Sequence, residues 1–250
     1  MASTYPDTAP PKRRWVLRVA HPGPIGAFLR GALSGAVGVL TLALVLPGGG
    51  PAGAALAVSV FLAGSGIALR ALKRGFPHPE LGLCNLLTLA RLGLACALLA
   101  PLLAQAVPSW PVFALAALAL SLDGFDGWLA RRQQRASEFG ARFDVEVDSL
   151  LALVLAVCAA MGTGIGAWAV FLGLPRYAFL AAGAVLPWMR RPLPERFSRK
   201  AVCVIQIAVL IALQAPVLPP IAAILSGAAA LLALAWSFAV DINWLWARRG

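Results

Sequence analysis

Asp123-Gly124-Phe125-Asp126-Gly127-Trp128-Leu129-Ala130-Arg131 is followed, eight residues later, by Gly140-Ala141-Arg142-Phe143-Asp144-Val145-Glu146-Val147-Asp148. The chain has ten acidic residues in all, and six of them fall between Asp123 and Asp148. The segments on either side are long and apolar enough to cross a bilayer. A charge at a bilayer centre costs about 2.5–3.5 kcal/mol on insertion scales, so four deeply placed, unpaired aspartates would cost roughly 10 kcal/mol. Something has to offset that cost, and a divalent metal ion is the simplest candidate.

The composition agrees with a membrane setting. Of the 250 residues, 60% are hydrophobic and 12% charged, against about 25% charged in ordinary soluble domains. Apolar runs fall at about 26–46, 52–72, 83–106, 109–131, 141–162, 166–188, 200–218 and 220–240. Runs of about 20 residues predict an all-α polytopic membrane protein of about eight spans. Membrane barrels show short alternating segments instead. The formal net charge of +11 sits in clusters at segment ends without interleaved stacking aromatics. That distribution fits topology and anionic headgroups and argues against a nucleic-acid partner.

Four connections, at 47–51, 106–110, 162–166 and 215–220, carry no Lys or Arg. The alternate connections hold Arg70, Lys73 and Arg74, then Arg131, Arg132 and Arg135, then Arg190, Arg191, Arg196, Arg199 and Lys200, and finally Arg248 and Arg249. The positive-inside rule places these, with both termini, in the cytoplasm. Residues 1–24 read as a basic cytoplasmic juxtamembrane segment rather than a cleaved leader. Residues 25–75 read as two accessory helices and 80–250 as the core. Trp110, Trp168, Trp188, Trp244 and Trp246 lie near segment ends, as interfacial anchors do. Cys84, Cys96, Cys158 and Cys203 lie in apolar runs without CxxC spacing and read as inert thiols.

On helices, Asp123 and Asp126 (i, i+3) share one face, as do Asp144 and Asp148 (i, i+4). Brought together across a hairpin, the two faces make a set of hard oxygen ligands suited to Mg²⁺ or Mn²⁺. Gly127, Ala130 and Gly140 leave room for a bulky group to approach the backbone. Arg131 offers a fork suited to a diphosphate. Asp123 and Asp126 also sit at the C-terminal end of their segment, where the helix dipole disfavours carboxylates. A mere helix cap therefore does not account for them.

The pattern D-x-x-D-G-x-x-A-R, eight residues, G-x-x-x-D-x-x-x-D resembles the signature of the CDP-alcohol phosphatidyltransferase family, with all eight positions present. Asn85, Thr88 and Arg91 resemble the N-x-x-T-x-x-R of the family's first core helix, although Cys84 stands where proline is frequent. The resemblance covers roughly residues 83–240 and implies a six-helix core, here preceded by two extra helices. It implies displacement of CMP from a CDP-linked lipid such as CDP-diacylglycerol by a small alcohol, with two divalent ions. Asp123, Asp126, Asp144 and Asp148 would be the ligands and Asp148 also the base. Asn85, Thr88, Arg91, Gly127, Ala130, Arg131 and Gly140 would contact the cytidine diphosphate. Arg176, followed by Tyr177 where an acid is frequent, and Lys200 would bind a phosphorylated acceptor such as glycerol 3-phosphate or inositol phosphate. A homodimer in the cell (inner) membrane, with a cytoplasmic active site among membrane lipids, completes the expectation.

Two other readings use the same aspartates. A membrane prenyltransferase also holds diphosphate through Mg²⁺, but separates its aspartate motifs widely and has no role for Gly127, Ala130 and Arg131. A cation transporter would place ionisable groups near the midplane or on both sides, whereas these cluster at one.

Overall fold

The computed structural model describes residues 23–133, 137–191, 193–194 and 196–249, with the side chains of 125–133 outside the described set. Nearly all of the juxtamembrane segment expected at 1–24 therefore lies outside the described residues. Nine α-helices are found among them, and no strand: α1 (Pro24–Val45), α2 (Pro51–Lys73), α3 (Leu83–Ala97), α4 (Leu99–Leu103), α5 (Trp110–Gln133), α6 (Glu138–Gly162), α7 (Pro175–Val185), α8 (Phe197–Ala212) and α9 (Pro220–Trp246). Proline opens α1, α2, α7 and α9. A first helical position has no intrahelical use for the missing N–H, and the fixed φ suits it.

Among the described residues, five stretches are long and apolar enough to cross a membrane: Pro24–Val45, Pro51–Lys73, Leu83–Leu103, Glu138–Gly162 and Pro220–Trp246. The third is α3 continued by α4. It is interrupted at Leu98, where Pro101 can neither bond to nor clear the carbonyl of Ala97. Within the part of α5 whose side chains are described, Trp110–Gly124 is apolar, and α8 has 16 residues.

The continuous run expected at 166–188 is broken. A 3-10 segment at Ala167–Leu172, α7 and a second 3-10 turn at Pro187–Arg190 take its place. Pro175 and Pro187 punctuate the run. Between them Gly173 lies so close to α6 that a Cβ there would stand 2.6 Å from the Cα of Leu153. Hydropathy alone does not register these breakers.

Helix α3 is the hub. Leu89, Leu92 and Cys96 face a cluster that includes Phe28, Val39, Ala57 and Phe61 of α1 and α2 and Phe139, Phe143 and Val147 of α6. Ala95 belongs to the second cluster, with Val112, Ala116, Leu151, Leu155, Ile207 and Leu210. The two accessory helices thus cover the outer side of α3. Outward faces remain apolar: Leu33, Val37, Ile221 and Leu232 are each at least 60% exposed, as lipid-facing side chains are and water-facing ones rarely are.

Described residues flanking the basic connections lie at one end of the bundle. Phe76 after α2 stacks edge-on against Phe139 of α6 at 5.7 Å, and Arg191 donates to the carbonyl of Arg248. Arg248 and Arg249 lie over the rings of Trp244 and Trp246 at 4.2 and 3.4 Å.

Candidate metal centre

The site lies at that same end, where α3, α5 and α6 converge. Ser137 caps α6, its hydroxyl accepting from the Gly140 amide at 3.0 Å, so the helix starts just before its acidic face. Four residues separate Asp144 from Asp148, which puts them one turn apart on that face. Asp123 comes from α5. One carboxylate oxygen from each of the three lies within 4.8 Å of the others. At an effective dielectric constant near 20, such charges repel by about 3 kcal/mol per pair.

Arg91 answers that repulsion. Its Nη1 is 2.9 Å from Asp123 and 2.5 Å from Asp144, and its Nη2 bonds to Asp148. Its Nε donates to the carbonyl of Ala119 on α5 at 3.2 Å. The guanidinium is 1% exposed, while the three carboxylates are each about 30% exposed. The arginine is therefore sealed beneath the carboxylates rather than reaching for the headgroups.

Asn85 and Thr88 lie on the same buried side of α3. Asn85 donates its amide to the Leu81 carbonyl at 2.5 Å, and the Thr88 hydroxyl donates to Cys84 at 3.1 Å. The Asn85 carbonyl oxygen faces Gly140, where a Cβ would stand 2.9 Å from it. Asn85 is buried and tied to Leu81, so it cannot yield. The group that approaches the Gly140 backbone here is Asn85.

The backbone of Asp126, Gly127, Ala130 and Arg131 continues α5, but their side chains lie outside the described set. Arg176 is not brought to the aspartates. It bonds to Glu146 at 2.6 Å, two residues from both Asp144 and Asp148 and therefore on the opposite face of α6. Lys200 is exposed in the first turn of α8.

One buried carboxylate escaped the sequence reading. Asp241, 4% exposed on α9, accepts from Arg196 at 2.8 Å and from Arg199 at 3.3 Å. Its signal was available: it is an acid in an apolar run, where burial demands a partner. The two arginines, taken from the sequence as topology anchors, are thus held by a buried carboxylate.

A cavity of about 460 Å³ lies between α7 and α9, lined only by apolar side chains that include Phe171, Phe179, Leu234 and Phe238. None of the aspartates borders it.

A helical bundle with largely apolar flanks and converging carboxylates at one end defines a membrane protein with a candidate site for a hard cation. A family model described as CDP-alcohol phosphatidyltransferase matches residues 81–240, and the chain belongs to that family. It is accordingly a transferase of substituted phosphate groups, acting in phospholipid synthesis and integral to a membrane. Neither a curated protein nor a solved structure matches the chain. The family is typically dependent on divalent metal, and the all-oxygen donor set of Asp123, Asp144 and Asp148 fits such an ion.

Proposed function

We propose that the protein transfers the phosphatidyl group of a CDP-linked lipid, CDP-diacylglycerol, to the hydroxyl of a small alcohol and releases CMP. The convergence of Asp123, Asp144 and Asp148 from two helices, in a chain of this family, carries the reading. Asp123, Asp126, Asp144 and Asp148 would hold two Mg²⁺ or Mn²⁺ ions. Such ions, when bound, neutralise charge on the diphosphate and the departing CMP. Asp148 takes the proton of the acceptor hydroxyl as that oxygen bonds to the lipid-bearing phosphorus and the bond to CMP breaks. Asn85 and Thr88 on α3, Gly127, Ala130 and Arg131 on α5, and Gly140 on α6 surround the cytidine diphosphate.

CMP release from CDP-diacylglycerol, measured with Mg²⁺ or Mn²⁺ and a panel of alcohols, tests this. Asp144→Asn and Asp148→Asn should each lower turnover by roughly 10²-fold or more. Turnover near the unaltered level in both variants would overturn the mechanism.

The acceptor is proposed to be a phosphorylated alcohol. Among the described residues, Arg196 and Arg199 outnumber the Asp241 that joins them, and Lys200 follows directly in sequence. Lys200→Ala should raise the acceptor KM more than the CDP-lipid KM; equal changes in both would remove Lys200 from the acceptor site. The basic end of the bundle is proposed to face the cytoplasm of the cell (inner) membrane, with the protein a homodimer. Protease access to tags fused at each terminus, in sealed vesicles of known sidedness, reads the orientation.

A further inference from the structure

Arg91 invites a role of its own. Three carboxylates from two separate helices would repel one another and part, yet they stand with oxygens within 4.8 Å. A single guanidinium from a third helix touches all three. Its Nε–H is fixed to the backbone of α5 at Ala119, so the fork cannot turn without breaking a buried hydrogen bond. The carboxylates are part-exposed above it and the arginine is sealed below. An ion arriving from solvent meets the outer carboxylate oxygens first, with the arginine already behind them.

We propose that Arg91 is a positioning residue: a resident cation that keeps Asp123, Asp144 and Asp148 convergent while no divalent ion is bound, and so maintains the site ready for loading. The proposal rests on the reading of these aspartates as metal ligands, but it concerns the metal-free protein and is tested there. A role for Arg91 confined to the substrate phosphate, the expectation from sequence, predicts no dependence of its stability loss on metal. A simple space-filling role would lower stability equally with and without metal.

The test is thermal unfolding of the full chain in detergent micelles, with EDTA and with Mn²⁺. In EDTA, Arg91→Gln should unfold on the order of 5–10 °C below the unaltered protein. Mn²⁺ should restore most of that difference, giving a metal-induced shift at least about twice that of the unaltered protein. Arg91→Lys, which keeps the charge and loses the fork, should fall between the two. In the pair Arg91→Gln with Asp144→Asn, removal of one repelling charge should recover part of the EDTA stability. If Arg91→Gln alone does not fold, recovery of a folded protein by this pair supports the proposal, and failure of the pair to fold overturns it. Arg91→Gln as stable in EDTA as the unaltered protein, or destabilised to the same extent with and without Mn²⁺, also overturns it. CMP release plays no part in these outcomes, so an inactive protein with the expected stability pattern would count against the proposed reaction alone.

Discussion

The two polar clusters of this bundle have opposite compositions. Under the end of α5 and α6, one arginine is shared by three carboxylates. Between α8 and α9, one carboxylate is shared by two arginines. Both bury their minority member, Arg91 or Asp241, at no more than 5% exposure and leave the majority charges part-exposed. A buried ion needs full pairing, so each minority charge is surrounded by more opposite charge than it can neutralise. Among the described residues, what remains is negative at the first cluster and positive at the second. The same local solution underlies both the proposed cation site and the proposed anion site.

Chelation should separate the two most sharply. EDTA should abolish CMP release, with added Mn²⁺ restoring it, because the first cluster is proposed to work through bound ions. The second cluster should be indifferent to EDTA; a chelator-resistant reaction would break the contrast at once. Next in size is Asp241→Asn, which strands two part-buried arginines. Removing one partner of a buried pair costs up to 3–5 kcal/mol. Their partial exposure reduces the expected loss to on the order of 2–3 kcal/mol, read as a lower Tm with and without EDTA alike. Asp241→Glu should recover much of it.

Gly140→Ala should cost about 1–3 kcal/mol through overpacking against Asn85, measured by thermal unfolding. A Tm equal to that of the unaltered protein would mean that α3 and α6 can separate there without cost. The smallest effect is expected for Arg176→Ala, since its pair with Glu146 is 35% and 47% exposed and such pairs contribute about 0–1 kcal/mol. Stability should hardly move. A selective rise in acceptor KM would assign Arg176 to the anion-binding side of the comparison; an unchanged KM would leave it a surface pair.

Spacing made the first cluster legible. Asp144 and Asp148 one turn apart, and Asn85, Thr88 and Arg91 at three-residue steps, need only helical periodicity to be placed on common faces. The partner of Arg91 could not be read in this way, because it depends on how α3 docks between α5 and α6. The second cluster was missed for another reason. Positive-inside counting treats every arginine at a helix end alike, and the apolar run was taken to stop at residue 240, one short of Asp241, whereas α9 continues to Trp246. The broken run at 166–188 had local signals in Gly173, Pro175 and Pro187. A hydropathy window averages over such breakers, which act through one N–H and one ring at a time.

That broken run has a consequence for the surrounding bilayer. A 3-10 stretch rises about 2.0 Å per residue and an α-helix about 1.5 Å. Exchanging one form for the other over the six residues Ala167–Leu172 would therefore change the length of the run by about 3 Å. Hydrocarbon thickness differs between membranes by only a few ångströms, with penalties of a fraction of a kcal/mol per ångström of mismatch. An uninterrupted helix answers such a difference by tilting, kinking or deforming the lipid. Over Ala167–Leu172 the run beside α9 therefore reaches about 3 Å further than the same six residues would as α-helix, a difference of the size by which membranes themselves differ.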